Sequence, residues 1–313
     1  MQAERGRMRG SVGLVPTMGY LHEGHLSLVR RARRSDDNVV VSIFVNPTQF
    51  GPQEDFEHYP RDPERDLRLL EAEGADVVFM PGAGEVYPSG FDGWEEVRGP
   101  LVERLESAAR PGHFRGVTTV VARLLRIVQP ERAYFGQKDA QQLRVIRSLV
   151  QDLGLPVEVF GVPIVRDADG LALSSRNVYL SPEERGAALV LPRALALGRR
   201  LVRDGERDAD VVRNAVRELI TGEPLVRLEY ASVADEETLG ELDTIDRVAL
   251  LLLAARVGST RLIDNTVLLP GGVEPPEHVR ALMDDVEVAV VGGREANAWR
   301  SAYFRVVADE VAG

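Results

Sequence analysis

Histidine is scarce in this chain, five in 313 residues, yet two of the five stand three positions apart in PTMGYLHEGH, as His22 and His25. Lysine is scarcer still: Lys138, in FGQKDAQQ, is the one lysine among 38 lysines and arginines. Imidazoles separated by one helical turn can face the same way, and together they offer two N–H donors to a polyanion. A compact ammonium can follow a phosphate whose charge and position change, a task for which the planar guanidinium is no substitute. Keeping one lysine where arginine serves everywhere else therefore points to a function for Lys138. Two histidines near a helix start also occur as plain surface residues. Here the flanking Gly19 and Gly24 favour close ligand approach, and a zinc site would need further ligands that this stretch lacks.

A third segment, DGLALSSRN, carries Ser174, Ser175 and Arg176. Hydroxyls, backbone N–H groups and a guanidinium suit a loop that closes over phosphates and stabilises leaving pyrophosphate. All three segments need the same support. SVGLVP reads as a strand feeding the turn TMGYLHEG and the helix HLSLVRRARR; RAYFG reads as a strand feeding the Lys138 turn and the helix DAQQLRVIRSLVQDLG. In a parallel sheet, ligands bind beyond the carboxyl ends of the strands, where helix N-termini present free N–H groups to phosphate.

Short apolar runs such as NVVVSIFV and ADVVFMP alternate with amphipathic stretches such as DPERDLRLLEAEG, which predicts crossover units and a mainly parallel sheet up to about residue 180. Residues 82–114 loosen into glycine, proline and acid, an insertion expected to cover the site. Ser181 followed by Pro-Glu-Glu predicts a helix start with its N-cap, its proline at the first position and acids in the first turn. The expected organisation is a nucleotide-binding α/β domain over 1–180, a smaller α+β domain over 181–269, and an extension over 270–313 that opens with the linker-like PGGVEPP and is separable from the rest.

Composition removes other classes. A formal charge of −11 leaves no general basic footprint for nucleic acid or anionic membrane, so a polyanion must be held by local groups. With no cysteine there is no disulfide, thiolate catalysis or cysteine–metal site. No apolar run reaches the ~18 residues of a membrane helix, and the arginine-bearing start lacks the apolar core of a signal peptide, so the expected compartment is the cytoplasm.

PTMGYLHEGH, FVNPTQFG, RPGHFRGVTTVV, FGQKDAQQ and DGLALSSRN follow one another in the order and spacing of the pantothenate synthetases, and on these motifs the chain resembles that family from about residue 11 to 269. The resemblance implies a Rossmann-like fold of the class I aminoacyl-tRNA synthetase and nucleotidyltransferase superfamily. It implies condensation of pantoate with β-alanine, with ATP and Mg2+, through a pantoyl-adenylate that releases AMP and pyrophosphate. Carried over by position, the ATP site comprises Met18, Gly19, Tyr20, Leu21, His22, Glu23, Gly24, His25, Gly136, Gln137, Lys138, Asp139, Val165, Leu173, Ser174, Ser175 and Arg176. His25 takes the family's catalytic position, with His22 and Lys138 beside it in the catalytic set. Gln49 and Gln142 fall where the family holds pantoate, Gln49 also near β-alanine, and Asp66 in DPERDL stands as a magnesium ligand. A homodimer follows from the family alone. The chain departs from the family pattern in its short lead of about ten residues before the first strand, in Ser-Ala after the glutamate of ESAARPGHF, and in the 270–313 extension. The competing readings are a nucleotidyltransferase of the same superfamily, which lacks a use for the two glutamines, and a non-catalytic nucleotide sensor, which lacks a use for the lysine.

Overall fold

A computed structural model describes residues 1–52, 54–283 and 305–308. The elements in chain order are α1 (Gln2–Arg5), β1 (Val12–Thr17), α2 (Glu23–Arg33), β2 (Asn38–Ile43), α3 (Pro63–Ala72), β3 (Val77–Met80), α4 (Ala83–Val86), α5 (Glu106–Ala109), α6 (His113–Val128), β4 (Arg132–Gly136), α7 (Ala140–Asp152) and β5 (Glu158–Val162). They are followed by α8 (Pro182–Ala188), α9 (Val190–Arg203), α10 (Ala209–Thr221), β6 (Val226–Asp235), β7 (Ala249–Val257), β8 (Thr260–Leu268), α11 (Glu277–Met283) and β9 (Arg305–Ala308).

The chain divides into two compact units: residues 1–136, 142–162 and 293–313 form the first, and residues 137–141 and 163–292 the second. The division falls at Pro163, ahead of the helix start at Ser181. The first unit is the expected parallel α/β sheet, in the order β5-β4-β1-β2-β3-β9. Its inner strands β1, β2 and β3 are buried on both faces: Val12, Leu14, Val39, Val40, Val41 and Phe79 are inaccessible to solvent. That explains why they read as continuous apolar runs instead of alternating ones. Because β1 and β4 are neighbours, the chain leaves the sheet at the same carboxyl edge after Thr17 and after Gly136.

The longest helix among the described residues, α6, contains GVTTVV, a β-branched run of weak helix propensity. Burial decides in favour of helix: Val117, Val120, Val121, Leu124, Leu125 and Val128 pack in the core of the first unit, and the Thr118 and Thr119 hydroxyls donate to the carbonyls of Phe114 and Arg115 one turn earlier. The segment before α6 is tied down as well. Tyr87, Phe91 and Trp94 contact one another, and Arg115 of α6 lies 4.5 Å over the Trp94 ring.

The second unit packs α9 and α10 against the antiparallel sheet β6-β7-β8. Its helix start at Ser181 is as expected: the Ser181 hydroxyl accepts from Glu184 N–H at 3.2 Å, and the Glu184 carboxylate accepts from Ser181 N–H at 2.8 Å. The extension is not a free tail. Val279 and Leu282 of α11 are buried, and β9 pairs in parallel with β3 from Val77 opposite Arg305 to Met80 opposite Ala308. Trp299, Tyr303 and Phe304, the aromatic residues expected to pack if the tail joined the core, lie outside the described residues. No helix among the described residues is long and apolar enough to cross a membrane.

Candidate active site

In the first unit the site begins where β1 ends. The Thr17 hydroxyl donates to the Ser42 carbonyl of β2 at 2.8 Å and accepts Gly19 N–H at 3.2 Å, so the turn is tied to the sheet edge. Gly19 has φ +80°, and a Cβ there would stand 3.0 Å from Ile43 Cγ2 and 3.1 Å from an Asp66 oxygen. Tyr20 then adopts φ +49°, unusual for a side chain of its size. The strain is met from the first turn of α3. Asp66 accepts Tyr20 N–H at 2.6 Å with one oxygen and Leu21 N–H at 2.8 Å with the other. Arg65 donates to the Leu21 carbonyl at 2.9 Å and sits 5.5 Å over the Tyr20 ring.

Asp66, the expected magnesium ligand, is 1% exposed, and each of its oxygens accepts one backbone N–H. Burial pushes its carboxyl above the usual range, opposed by the two N–H donors. Among the described residues no three His, Asp or Glu side chains gather as a metal set.

The turn delivers the two histidines to the start of α2. His22 Nδ1 accepts Gly24 N–H at 3.2 Å, and His25 Nδ1 accepts His22 N–H at 3.3 Å. An amide N–H can only donate, so each Nδ1 must carry its lone pair. Each neutral imidazole therefore bears its proton on Nε2 and is a donor there. The ring centroids are 4.1 Å apart.

Gln49 closes a short 3-10 turn, Pro47–Gln49, capped by Asn46. Its carboxamide is held at both ends: Nε2 donates to Met18 Sδ at 3.2 Å, and Oε1 accepts from Asn46 Nδ2 at 3.1 Å. Met18 of the histidine turn and Gln49 are thus brought together. The Gln49 carbonyl is 2.9 Å from His113 Nδ1, while His113 Nε2 lies 3.0 Å from Arg110 Nη1. A carbonyl accepts and a guanidinium donates, which fixes the neutral tautomer with the proton on Nδ1. Burial, reinforced by the Arg110 charge, lowers the His113 pKa to about 4. Arg110 is itself held by both oxygens of Glu54, each at 2.6 Å. Helix α6 reaches this turn only because residue 116 is glycine: a Cβ there would lie 2.3 Å from the Thr48 carbonyl oxygen. Gln142 lies on α7, half-buried. Neither Arg110 and His113 nor Arg65 stood out by residue type. RPGHF was a motif of the resemblance, and only contact with Gln49 gives it a task.

In the second unit, Gln137, Lys138 and Asp139 form a 3-10 turn directly after Gly136, the last residue of β4. Lys138 Nζ is 4.0 Å from the Asp139 carboxylate. Val165 and Leu173 are joined, Leu173 N–H donating to the Val165 carbonyl at 3.0 Å, so the two expected ATP-site residues flank one hairpin. Its turn, Asp167 to Gly170, is closed by Gly170 N–H on the Asp167 carbonyl and by Arg185 on the carboxylates of Asp167 and Asp169. Ser174 then caps a 3-10 helix over Ser175–Tyr179 by accepting Arg176 N–H at 3.3 Å, with Ser175 buried. Sequence reading missed Asp264 and Asn265 of β8, both 3% exposed. Three consecutive polar residues, Asp264, Asn265 and Thr266, between the apolar pairs Leu262–Ile263 and Val267–Leu268 are the signal that could have found them.

Several known proteins resemble this chain. Residues 1–267 match the family model described as pantoate-beta-alanine ligase. The pantothenate synthetase of Roseiflexus castenholzii is 61% identical over 267 residues, covering 85% of this chain and 96% of the relative. That of Heliobacterium modesticaldum is 59% identical, covering 85% and 94%. The crystal structure of pantothenate synthetase from Thermus thermophilus aligns with a TM-score of 0.83 at 52% identity, over 86% of this chain and 98% of that one. The pantoate-beta-alanine ligase of Francisella tularensis, complexed with beta-gamma ATP and beta-alanine, aligns with a TM-score of 0.71 at 33% identity, over 85% and 94%.

Proposed function

Because this chain belongs to the pantoate–β-alanine ligase family, its reaction is the ATP-dependent condensation of pantoate with β-alanine, and we propose that His22, His25, Lys138, Ser174, Ser175 and Arg176 perform it by holding phosphate charge. The observation that carries this reading is the tautomer of the two histidines. Each ring accepts a backbone N–H at Nδ1, which leaves the proton of the neutral imidazole on Nε2, as a donor needs and a general base does not.

A pantoate carboxylate oxygen attacks the α-phosphorus of ATP, the bond to the bridging oxygen breaks, and pyrophosphate leaves with that electron pair. The β-alanine amine then attacks the acyl carbon, AMP leaves as the phosphate, and the amine loses a proton to solvent. No protein nucleophile is needed. The residues contribute alignment and donors placed where charge accumulates. Gln49, whose carboxamide is fixed between Met18 and Asn46, and Gln142 supply uncharged amides for pantoate. Mg2+ is the usual partner of ATP in this family, and the Asp66 carboxylate already braces the histidine turn through two backbone N–H groups. From the family resemblance we further infer a homodimer working in the cytoplasm, which sedimentation and fractionation would test.

If the adenylate forms independently, labelled pyrophosphate exchanges into ATP with pantoate present and β-alanine absent. Exchange that requires β-alanine would exclude a separate adenylation step.

A further inference from the structure

We propose that Asn265, on strand β8, is a positioning residue that sets the backbone of Lys138, and that its neighbour Asp264 does the same for the hairpin leading to Ser174–Arg176. The Asn265 carboxamide makes three hydrogen bonds to one turn. Its Nδ2 donates to the carbonyls of Gln137 and Lys138, at 2.9 Å each, and its Oδ1 accepts from Gln137 Nε2 at 3.2 Å. A carboxamide NH2 has two hydrogens, so the two carbonyls exhaust it. At 3% exposure no water competes for those bonds.

Asp264, also 3% exposed, faces a different segment. Its two oxygens take the Arg166 guanidinium at 2.7 and 2.9 Å, and Arg166 Nη1 also donates to the Gly170 carbonyl at 3.1 Å. The Asn265 N–H returns to Asp264 Oδ1 at 2.8 Å and links the pair. Successive residues of a strand project to opposite faces. One strand of the second unit can therefore hold the lysine turn on one side and the Arg166–Gly170 turn on the other. Asp264 and Asn265, buried in β8 together with Thr260 and Thr266, have no packing advantage over apolar side chains, whereas a fixed ammonium has a catalytic one.

The proposal rests on assigning Lys138 to the ATP phosphates, and the experiment separates the two claims. Pantoate-dependent pyrophosphate exchange is measured for Lys138→Ala, Asn265→Ala and the double variant, with melting temperatures alongside. Asn265→Ala should lower the maximal rate by about 100-fold, the scale expected of a group misplaced by about an ångström, while the KM for pantoate stays within about twofold. The double variant should be no slower than Lys138→Ala alone, because a residue acting only through the lysine has nothing left to position. Asn265→Ser, which keeps a polar group on the strand but is too short to reach the Gln137 and Lys138 carbonyls, supplies a milder second variant with the same expected non-additivity if Asn265→Ala does not fold. Penalties that multiply in the double variants would overturn the proposal, as would wild-type exchange in Asn265→Ala. Wild-type exchange in Lys138→Ala would instead remove the assignment of the lysine itself, and the proposal with it.

Discussion

Replacing Asp66 with asparagine separates the two tasks a buried carboxylate could have here. The carboxylate holds Tyr20 N–H at 2.6 Å and Leu21 N–H at 2.8 Å, each on its own oxygen, in a turn where Gly19 and Tyr20 both have positive φ. Asparagine keeps one acceptor oxygen and turns an NH2 toward the other N–H. The lost bond to a charged acceptor is worth roughly 1.5–3 kcal/mol, and the donor left unsatisfied costs roughly 1–3 kcal/mol more. Removing a charge whose burial already raises its pKa gives part of this back, leaving a net loss of about 2 kcal/mol. For domains of this size that lowers the melting temperature by roughly 4–8 °C. If the same energy is lost from the placement of His22 and His25, pantoate-dependent exchange slows by about 30-fold. The assay is exchange across a magnesium titration, with thermal melting of the same preparations. The half-saturating magnesium concentration should stay where it is. Full recovery of rate at higher magnesium, with an unchanged melting temperature, would refute the bracing role and return Asp66 to the metal.

Lys138→Arg should cost roughly two orders of magnitude in exchange despite keeping the charge, because the fork is bulkier and cannot occupy the site of a compact ammonium; near-wild-type turnover in the folded variant would remove the argument from composition. His113 has its pKa lowered from 6.5 to about 4, so the unfolded chain takes up its proton first as pH falls. The stability contribution is present above pH 6.5 and is lost progressively down to about 4, roughly 3 kcal/mol in all. His113→Gln should therefore flatten denaturant-measured stability by about one proton over that window, and an unchanged slope would place the titration elsewhere. Truncation after Leu269 removes the buried Val279 and Leu282 and the β9 ladder. It should lower the melting temperature, since each such side chain is worth roughly 1.5–3 kcal/mol of burial; equal melting temperatures for the two lengths would show that the extension is energetically idle.

Much of the architecture was legible because local physics and the fold agree. Apolar runs of strand length, separated by amphipathic helices, can only be satisfied by a sheet covered on both faces, and the β1 to β5 region is such a sheet. The Ser181 helix start was readable for the same reason, since a cap is a matter of a few adjacent residues. Helix α6 carried two opposed signals: its valines and threonines favour a strand, while Val117, Val120, Val121, Leu124, Leu125 and Val128 recur at helical spacing, and packing in the core decides for the helix. His22, His25 and Lys138 could be picked out by scarcity and by their place after a strand.

What holds them could not be found in this way. Asp66 reads as a magnesium ligand or a helix-surface carboxylate, and nothing in DPERDL reveals that two N–H groups from a turn more than forty positions earlier end on its oxygens. Asn265 lies more than a hundred and twenty positions from the carbonyls it holds. Residue type and spacing determine which groups can do chemistry and which local elements carry them, because those depend on neighbours along the chain. Which of two identical carboxylates binds an ion and which braces a backbone depends on burial and on partners distant in sequence, and only the folded chain brings those together.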